Sequence, residues 1–392
     1  MSNFKTIKAE LKGELFNILT YWKTNTLDHK YGGFVGRITN DNDILTESPK
    51  GVILNLRILW SFSKASNYLN TDEYLDICDR SFMFLKNYFN DPVNKGLYWE
   101  LDYKGNPINK RKQIFTQALG IYALTEYFVL TQKEEAKQWA IELFELIEHY
   151  ARDKERKGYF EAFDENWHTI KDMRLSEKDM NASKTMNTHL HVLEAYTILL
   201  KIYPNKELKI ALTELVELFL NTFLNNNNHY NMFYDDNWNL LSNSVSYGHD
   251  IETAWLVIEA SKVLQDQKLL SQANVVALKV ADTFLKEALD EEGAVITEKN
   301  LTTNIVDTDR YWWPQVEALI GLRYAFLLTN NSKYSKASFR IWEFIKSHIL
   351  DTKNGEWFSK VDNKGNVYNE DKVNMWKAPY HNTRACILLN EN

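Results

Sequence analysis

The feature that most constrains this chain is a pattern that returns six times. A long amphipathic helix is followed by a pair of short aromatic strands punctuated by Gly, Asn and Asp, then by a second helix. The strand segments begin near Gly32, Gly96, Gly158, His229, Gly293 and Gly355, about 62 to 71 residues apart. A fixed period decides architecture before any motif does, because one such unit cannot bury its apolar stripe alone and must stack on its neighbours. Six helix pairs stacked in this way can close into a ring, one helix of each pair lining the axis and the other outside. The expected fold is all-α, with twelve helices and the hairpins gathered at one mouth.

Apolar spacing near 3.6 residues, stopped by Asp, Asn and Gly runs, places the helices near 3–25, 50–67, 71–90, 113–131, 134–152, 183–203, 206–224, 248–266, 268–290, 309–329, 332–350 and 376–390. Between the helices of each pair lie segments such as GLYWELDYKGNPI from Gly96 and GYFEAFDENWHTI from Gly158, aromatic and polar by turns around a central Asp, Asn or Gly. The fifth copy, GAVITEKNLTTN from Gly293, is weaker. Pro is sparse and no linker interrupts the repeat, so residues 1–392 read as one domain. The longest polar connection, Lys171 to Lys184, is the candidate mobile loop.

Lys and Arg are scattered and the net charge is -7, which gives no footprint for nucleic acid or an anionic membrane. Cys78 and Cys386 stand alone, with no partner at metal or redox spacing, and read as packing residues. The start MSNFKTIKAELKGELF has charges every few positions and no apolar core of signal-peptide length. The expectation is a soluble, cytoplasmic protein, a monomer or weak homodimer.

The even-numbered helices carry unusual residues in their first turns: Arg57, Gln117, Asn187 to His191 in NTHLH, GHDIETAW from Gly248, RYWWPQVE from Arg310 and WKAPYHNTR from Trp376. Asn187 and His191 lie four apart and share a helix face, which leaves His189 on another side. His249, Glu252 and Trp255 follow at three-residue steps, so an imidazole, a carboxylate and an apolar platform point one way, while Asp250 reads as a cap or a solvent contact. Any one of these histidines alone is well explained as a hydrogen-bonded core residue. Three at equivalent points of a repeat, His191, His249 and His381, point to acid/base chemistry.

Trp312, Trp313 and Trp376 beside Glu317 suit a sugar, whose apolar face stacks on indole while carboxylates and amides take the hydroxyls, although a single tryptophan is as often core. Metal binding competes weakly, since the histidines of NTHLH stand at i and i+2 and no HExxH is present. No phosphate loop, GxSxG elbow or nucleotide fingerprint occurs, so no metal or cofactor is expected.

Through KGVILNLRILWSFS, KDMNASKTMNTHLHVLEAYT, SYGHDIETAWLV, YWWPQVEALIGL and WKAPYHNTRAC, the chain resembles the N-acylglucosamine 2-epimerase superfamily, most closely its cellobiose 2-epimerases. The resemblance implies an (α/α)6 barrel and cofactor-free, reversible epimerisation at carbon 2 of a reducing-end glucose or mannose unit. It implies His249 and His381 as two bases on opposite faces of an enediolate, with His381 also opening the ring. Arg57 and His191 would stabilise the carbonyl oxygen. Asn187, Glu252, Trp255, Trp312, Trp313, Glu317 and Trp376 would bind the sugar or orient the histidines. One departure stands in KQIFTQALGIY, where Phe115 occupies a position that is often tyrosine in the family.

Neighbouring activities remain open at this point. A mannose 2-epimerase or mannose isomerase would share the intermediate. An inverting glycoside hydrolase would use Glu252 and Glu317 on opposite sides of a glycosidic bond. A sugar-binding toroid would need only the aromatic platforms.

Overall fold

The computed structural model describes residues 2–391. Among them are twelve α-helices: α1 (Ser2–Asn25), α2 (Val52–Leu69), α3 (Leu75–Phe84), α4 (Ile114–Thr131), α5 (Glu134–Leu146), α6 (Met186–Ile202), α7 (Lys206–Leu218), α8 (Tyr247–Leu264), α9 (Gln267–Glu287), α10 (Trp312–Thr329), α11 (Ser332–Phe344) and α12 (Tyr380–Asn390). The even-numbered helices touch in the order α2, α4, α6, α8, α10, α12, and α12 returns to α2. They form the inner ring of an (α/α)6 barrel, with the odd-numbered helices packed outside them.

Each inner helix is apolar around most of its circumference because it meets neighbours on every side, whereas the outer helices keep one wet face. Helix α4 is long and apolar enough to cross a membrane, yet 78% of it is buried within the barrel wall. Both cysteines are buried free thiols. The expected starts at 183, 309 and 376 fall three to four residues early, because short strands or turns precede α6, α10 and α12.

The hairpins are more regular than their sequences. Six equivalent bridges, Leu27 with Phe34, Asn90 with Leu97, Arg152 with Tyr159, Leu224 with Tyr230, Leu289 with Val295 and Leu350 with Trp357, close a tight turn in every repeat, the weak fifth copy included. A residue at positive φ makes that turn, Gly96 at +74° for example and Asn228 at +64° in the fourth repeat.

Five of the six inner helices, α2 to α10, are entered from a short strand that pairs with the next repeat's hairpin. Lys50–Gly51 pairs with Glu100–Leu101, Lys112–Gln113 with Ala162–Phe163, Lys184–Thr185 with Phe233–Tyr234, Ser244–Ser246 with Glu298–Asn300 and Arg310–Tyr311 with Lys360–Val361. The Ile38–Val373 bridge closes the circle from the sixth repeat to the first. The mouth is thus belted by backbone hydrogen bonds between repeats, which fixes the heights of the inner helix starts.

Buried ion pairs reinforce the belt: Lys50 with Asp28 at 2.7 Å, Lys112 with Asp91 at 2.8 Å, Lys184 with Asp153 at 2.7 Å and Lys372 with Asp351 at 2.6 Å, with Arg310 and Asp290 in the fifth repeat. In the fourth repeat both charges are missing together, Asn225 standing at the Asp position and Val245 at the Lys position. Losing both avoids the cost of one uncompensated buried charge, about 3–5 kcal/mol.

Candidate active site

The inner helices start at the belted mouth, so side chains from their first turns converge on the axis. A cavity of about 170 Å³ is lined there by Arg57, Phe115, Asn187, His191, His249, Glu252, Trp312, Trp313, Trp376 and His381. A wider hollow of about 490 Å³ continues outward past Trp312, Trp313 and Trp376 to Ser359, Glu370 and the loop residues Leu175 to Asp179. That loop is tied to the barrel by Arg111 and Gln113, which donate to the carbonyls of Asp172 and Arg174 at 2.9 Å each. The structure therefore brings nine of the eleven candidate residues, together with Phe115, to one cavity wall.

The other two candidates lie below that wall. Glu317 is fully buried and accepts from His381 Nδ1 at 2.8 Å, so it orients an imidazole and does not face the cavity. Trp255 donates to Glu317 Oε2 at 3.2 Å and lines a separate cavity toward the far end of the barrel with Lys201, Glu259 and Tyr324. The expectation that Trp255 is a sugar platform is corrected. A shared helix face fixes direction about the axis and not depth, and six residues along a helix descend about 9 Å.

At the centre stands a residue that no sequence motif marks. Arg384 is fully buried; one guanidinium nitrogen bonds Glu194 and the Tyr380 hydroxyl, and the other bonds Glu252 and, at 2.7 Å, Glu317 Oε1. Its position three and four residues after His381 and Tyr380 was the available signal, since those three share a face of α12. Atoms of Glu252, Glu317 and His381 lie within 4.8 Å of one another and have the donor types a cation requires. Arg384 already hydrogen-bonds both carboxylates, so the charge a metal would supply there is supplied by the protein.

Each histidine has a different partner. His191 Nδ1 lies 3.1 Å from Glu194 Oε2, whose other oxygen accepts from Tyr380 at 2.6 Å. Burial works against the Glu194 charge, but Arg384, His191 and Tyr380 outweigh it and hold the carboxyl at about 2. His249 Nδ1 lies 2.7 Å from Ser246 Oγ, so the expected Glu252–His249 pairing gives way to a serine hydroxyl, and Glu252 is held by Arg384. His189 is structural, its Nε2 accepting from Tyr159 N at 2.8 Å. Asp250 is neither a helix cap nor a solvent contact; it is buried and accepts from Tyr230 N at 2.8 Å and pairs with His229 at 2.7 Å.

Loss of water lowers His249 to about 4, and loss of water together with Arg57 takes His381 well below its ordinary value. Both rings are neutral near pH 7. A neutral His381 donating Nδ1–H to Glu317 leaves its Nε2 lone pair free to take a proton. Burial pushes the Glu317 carboxyl up, opposed by Arg384.

Trp313 leans over both rings, 4.8 Å from His249 and 5.6 Å from His381 between centroids. It reaches that place because residue 248 is glycine: a Cβ there would stand 2.6 Å from the indole. Phe115 meets His191 edge-on at 4.5 Å. Arg57 is held by the Trp376 carbonyl at 2.8 Å, and its Nε is buried without a partner, as is Asn187 Oδ1. Two neutral imidazoles, a cation and unpaired polar atoms around one cavity suit proton transfer on a polar, uncharged molecule.

Comparison with known proteins agrees with that chemistry. The profile of the N-acylglucosamine 2-epimerase (GlcNAc 2-epimerase) family matches residues 32–385. The cellobiose 2-epimerase of Bacteroides fragilis is 41% identical over 386 residues, 98% of each chain, and that of Dictyoglomus turgidum is 38% identical over 388 residues, again 98% of each. The solved cellobiose 2-epimerase of Bacillus thermoamylovorans superposes with a TM-score of 0.93 at 36% identity, covering 98% of this chain and 99% of that one.

Proposed function

The chain belongs to the N-acylglucosamine 2-epimerase family, and from that membership we propose that it is a cellobiose 2-epimerase, an isomerase that inverts carbon 2 of the reducing-end glucose or mannose unit of β-1,4-linked disaccharides. The observation that carries the mechanism is the pair of neutral histidines, His249 and His381, under one indole on the wall of a single cavity.

The carbon 2 hydrogen of a closed pyranose is not acidic, so ring opening comes first. His381 takes that step, its ring held by Glu317. One histidine then removes the carbon 2 proton to give an enediolate. Rotation about the carbon 2 to carbon 3 bond presents the other face to the second histidine, which returns a proton. Each such group contributes roughly 100- to 10,000-fold. Arg57 and His191 face the oxygen on which charge builds and act as an oxyanion hole does. Asn187, Glu252, Trp312, Trp313 and Trp376 hold hydroxyls and ring faces, and Arg384 fixes the carboxylates beneath them.

The 490 Å³ hollow beyond Trp376 supports a disaccharide over a monosaccharide, since it gives the second ring a place outside the reacting one. Inverting hydrolysis is disfavoured, because Glu252 and Glu317 share one guanidinium nitrogen and cannot flank a bond at the roughly 6.5–9.5 Å that reaction needs. The proposal places the enzyme in the cytoplasm, in keeping with its buried free thiols, as a monomer or weak homodimer.

Incubation with cellobiose and, separately, with mannose tests the assignment by product analysis. Glucosyl-mannose from cellobiose is the expected result. Turnover of mannose alone would move the substrate to a monosaccharide, and release of glucose from cellobiose would make the protein a hydrolase.

A further inference from the structure

His249 differs from its two companions in what holds its inner nitrogen. His191 and His381 face carboxylates, Glu194 and Glu317, each of which Arg384 also binds through one oxygen, so both rings present their Nδ1 to a fixed buried anion. His249 faces a hydroxyl, Ser246 Oγ at 2.7 Å, which can accept a proton on one lone pair and release its own.

Beside that hydroxyl lies a second chamber of about 90 Å³, walled by Ser246, His249, Asn187, Asp179, Glu298 and Arg174, which pairs with Asp172, together with mostly apolar side chains. At about 30 Å³ each it has room for about three waters, and the unpartnered Asn187 Oδ1 offers one of them an acceptor. Ser246 and Glu298 are directly opposed in an antiparallel pair, so their side chains share a face with Cβ atoms about 5 Å apart. Glu298 is exposed on its other side.

We propose that Ser246 and Glu298 form a proton relay that keeps His249 neutral while it takes the carbon 2 proton. The inference rests on the epimerase assignment and deepens it. As the carbon 2 hydrogen moves to His249 Nε2, the proton on Nδ1 moves to Ser246 Oγ. The Ser246 hydroxyl proton passes to a chamber water, and a proton of that water passes to the Glu298 carboxylate and so to solvent. The electron pair of the carbon–hydrogen bond stays with the enediolate, and His249 ends as its other neutral tautomer. Without the relay the ring must become an imidazolium in a pocket that holds its pKa near 4. Loss of water and the neighbouring Asp307 and Asp179 raise the Glu298 carboxyl, which makes it the better acceptor.

The test is a proton inventory, turnover measured across mixtures of light and heavy water, on the whole enzyme with cellobiose. Wild type is expected to show a curved inventory, with more than one proton in flight. Ser246→Ala is expected to lose about tenfold or more in kcat and to give a straight inventory. Ser246→Thr, which keeps the hydroxyl, is expected to restore both, and Glu298→Gln to lower kcat with KM little changed. A wild type that epimerises with a straight inventory, or a Ser246→Ala enzyme with kcat within twofold and the curvature intact, overturns the relay and leaves the epimerase assignment standing. A wild type that epimerises nothing removes the assignment and the relay together.

Discussion

Replacing Glu317 by glutamine separates the charge behind His381 from its shape. Glu317 Oε1 accepts from His381 at 2.8 Å and from Arg384 at 2.7 Å, and Oε2 accepts from Trp255 at 3.2 Å. A glutamine has one acceptor oxygen, and the less costly orientation keeps it on His381 and Arg384. Its NH₂ then opposes the Trp255 N–H, leaving two buried donor groups without an acceptor at about 1–3 kcal/mol each. Arg384 keeps Glu194 and Glu252, so the barrel still folds.

His381 keeps its tautomer but loses the carboxylate that stabilises it when it carries a proton. We predict a fall of about 100- to 10,000-fold in kcat/KM for Glu317→Gln, or about 3–5 kcal/mol of barrier, with thermal stability lowered by only a few degrees. Initial rates of carbon 2 inversion by proton NMR and a thermal melt supply the two numbers. A folded variant within threefold of wild type would refute the role given to Glu317 and, through it, to His381.

Two further expectations concern the other histidines. His189→Ala removes a fully buried ring and strands the Tyr159 N–H, which predicts a loss of about 3 kcal/mol or more with catalysis retained below the new melting point, while His191→Ala is expected to do the reverse; paired melts and rates decide it. His249 sits near 4, below its ordinary value, so its base form persists as pH falls from 6.5 toward 4, and the acid limb of kcat/KM is expected near 4 and not near 6.5. In that window the unfolded chain binds more protons than the folded one, so stability also declines as pH falls, and a melt at each pH separates the two effects.

The ring and its inner helices were legible because each repeat carries enough 3.6-residue periodicity to declare a helix, and because the rare residues cluster at equivalent helix starts. What escaped has physical causes. Two-residue strands such as Lys50–Gly51 carry no periodicity, so the belt of strands between repeats left no trace in the pattern. Helical spacing gives an azimuth without a depth, which put Trp255 on the right face and the wrong level. Arg384 looked like an ordinary charge near the chain's end, since nothing local reveals that three carboxylates from three other helices surround it. Ser246 carries no signal of its own in the sequence, since it stands at the N-cap position of α8, although its side chain makes no cap bond there.

The central claim is that two histidines work from opposite faces, and carbon 2 hydrogen exchange in heavy water by His249→Ala and His381→Ala tests it most directly. Both variants are expected to lose inversion; His249→Ala, which keeps the ring-opening histidine, is expected to exchange the carbon 2 hydrogen of one epimer, and His381→Ala, which lacks it, to exchange that of the other epimer only as fast as the sugar ring opens spontaneously. Inversion by either single variant, or exchange confined to the same epimer in both, would contradict the account.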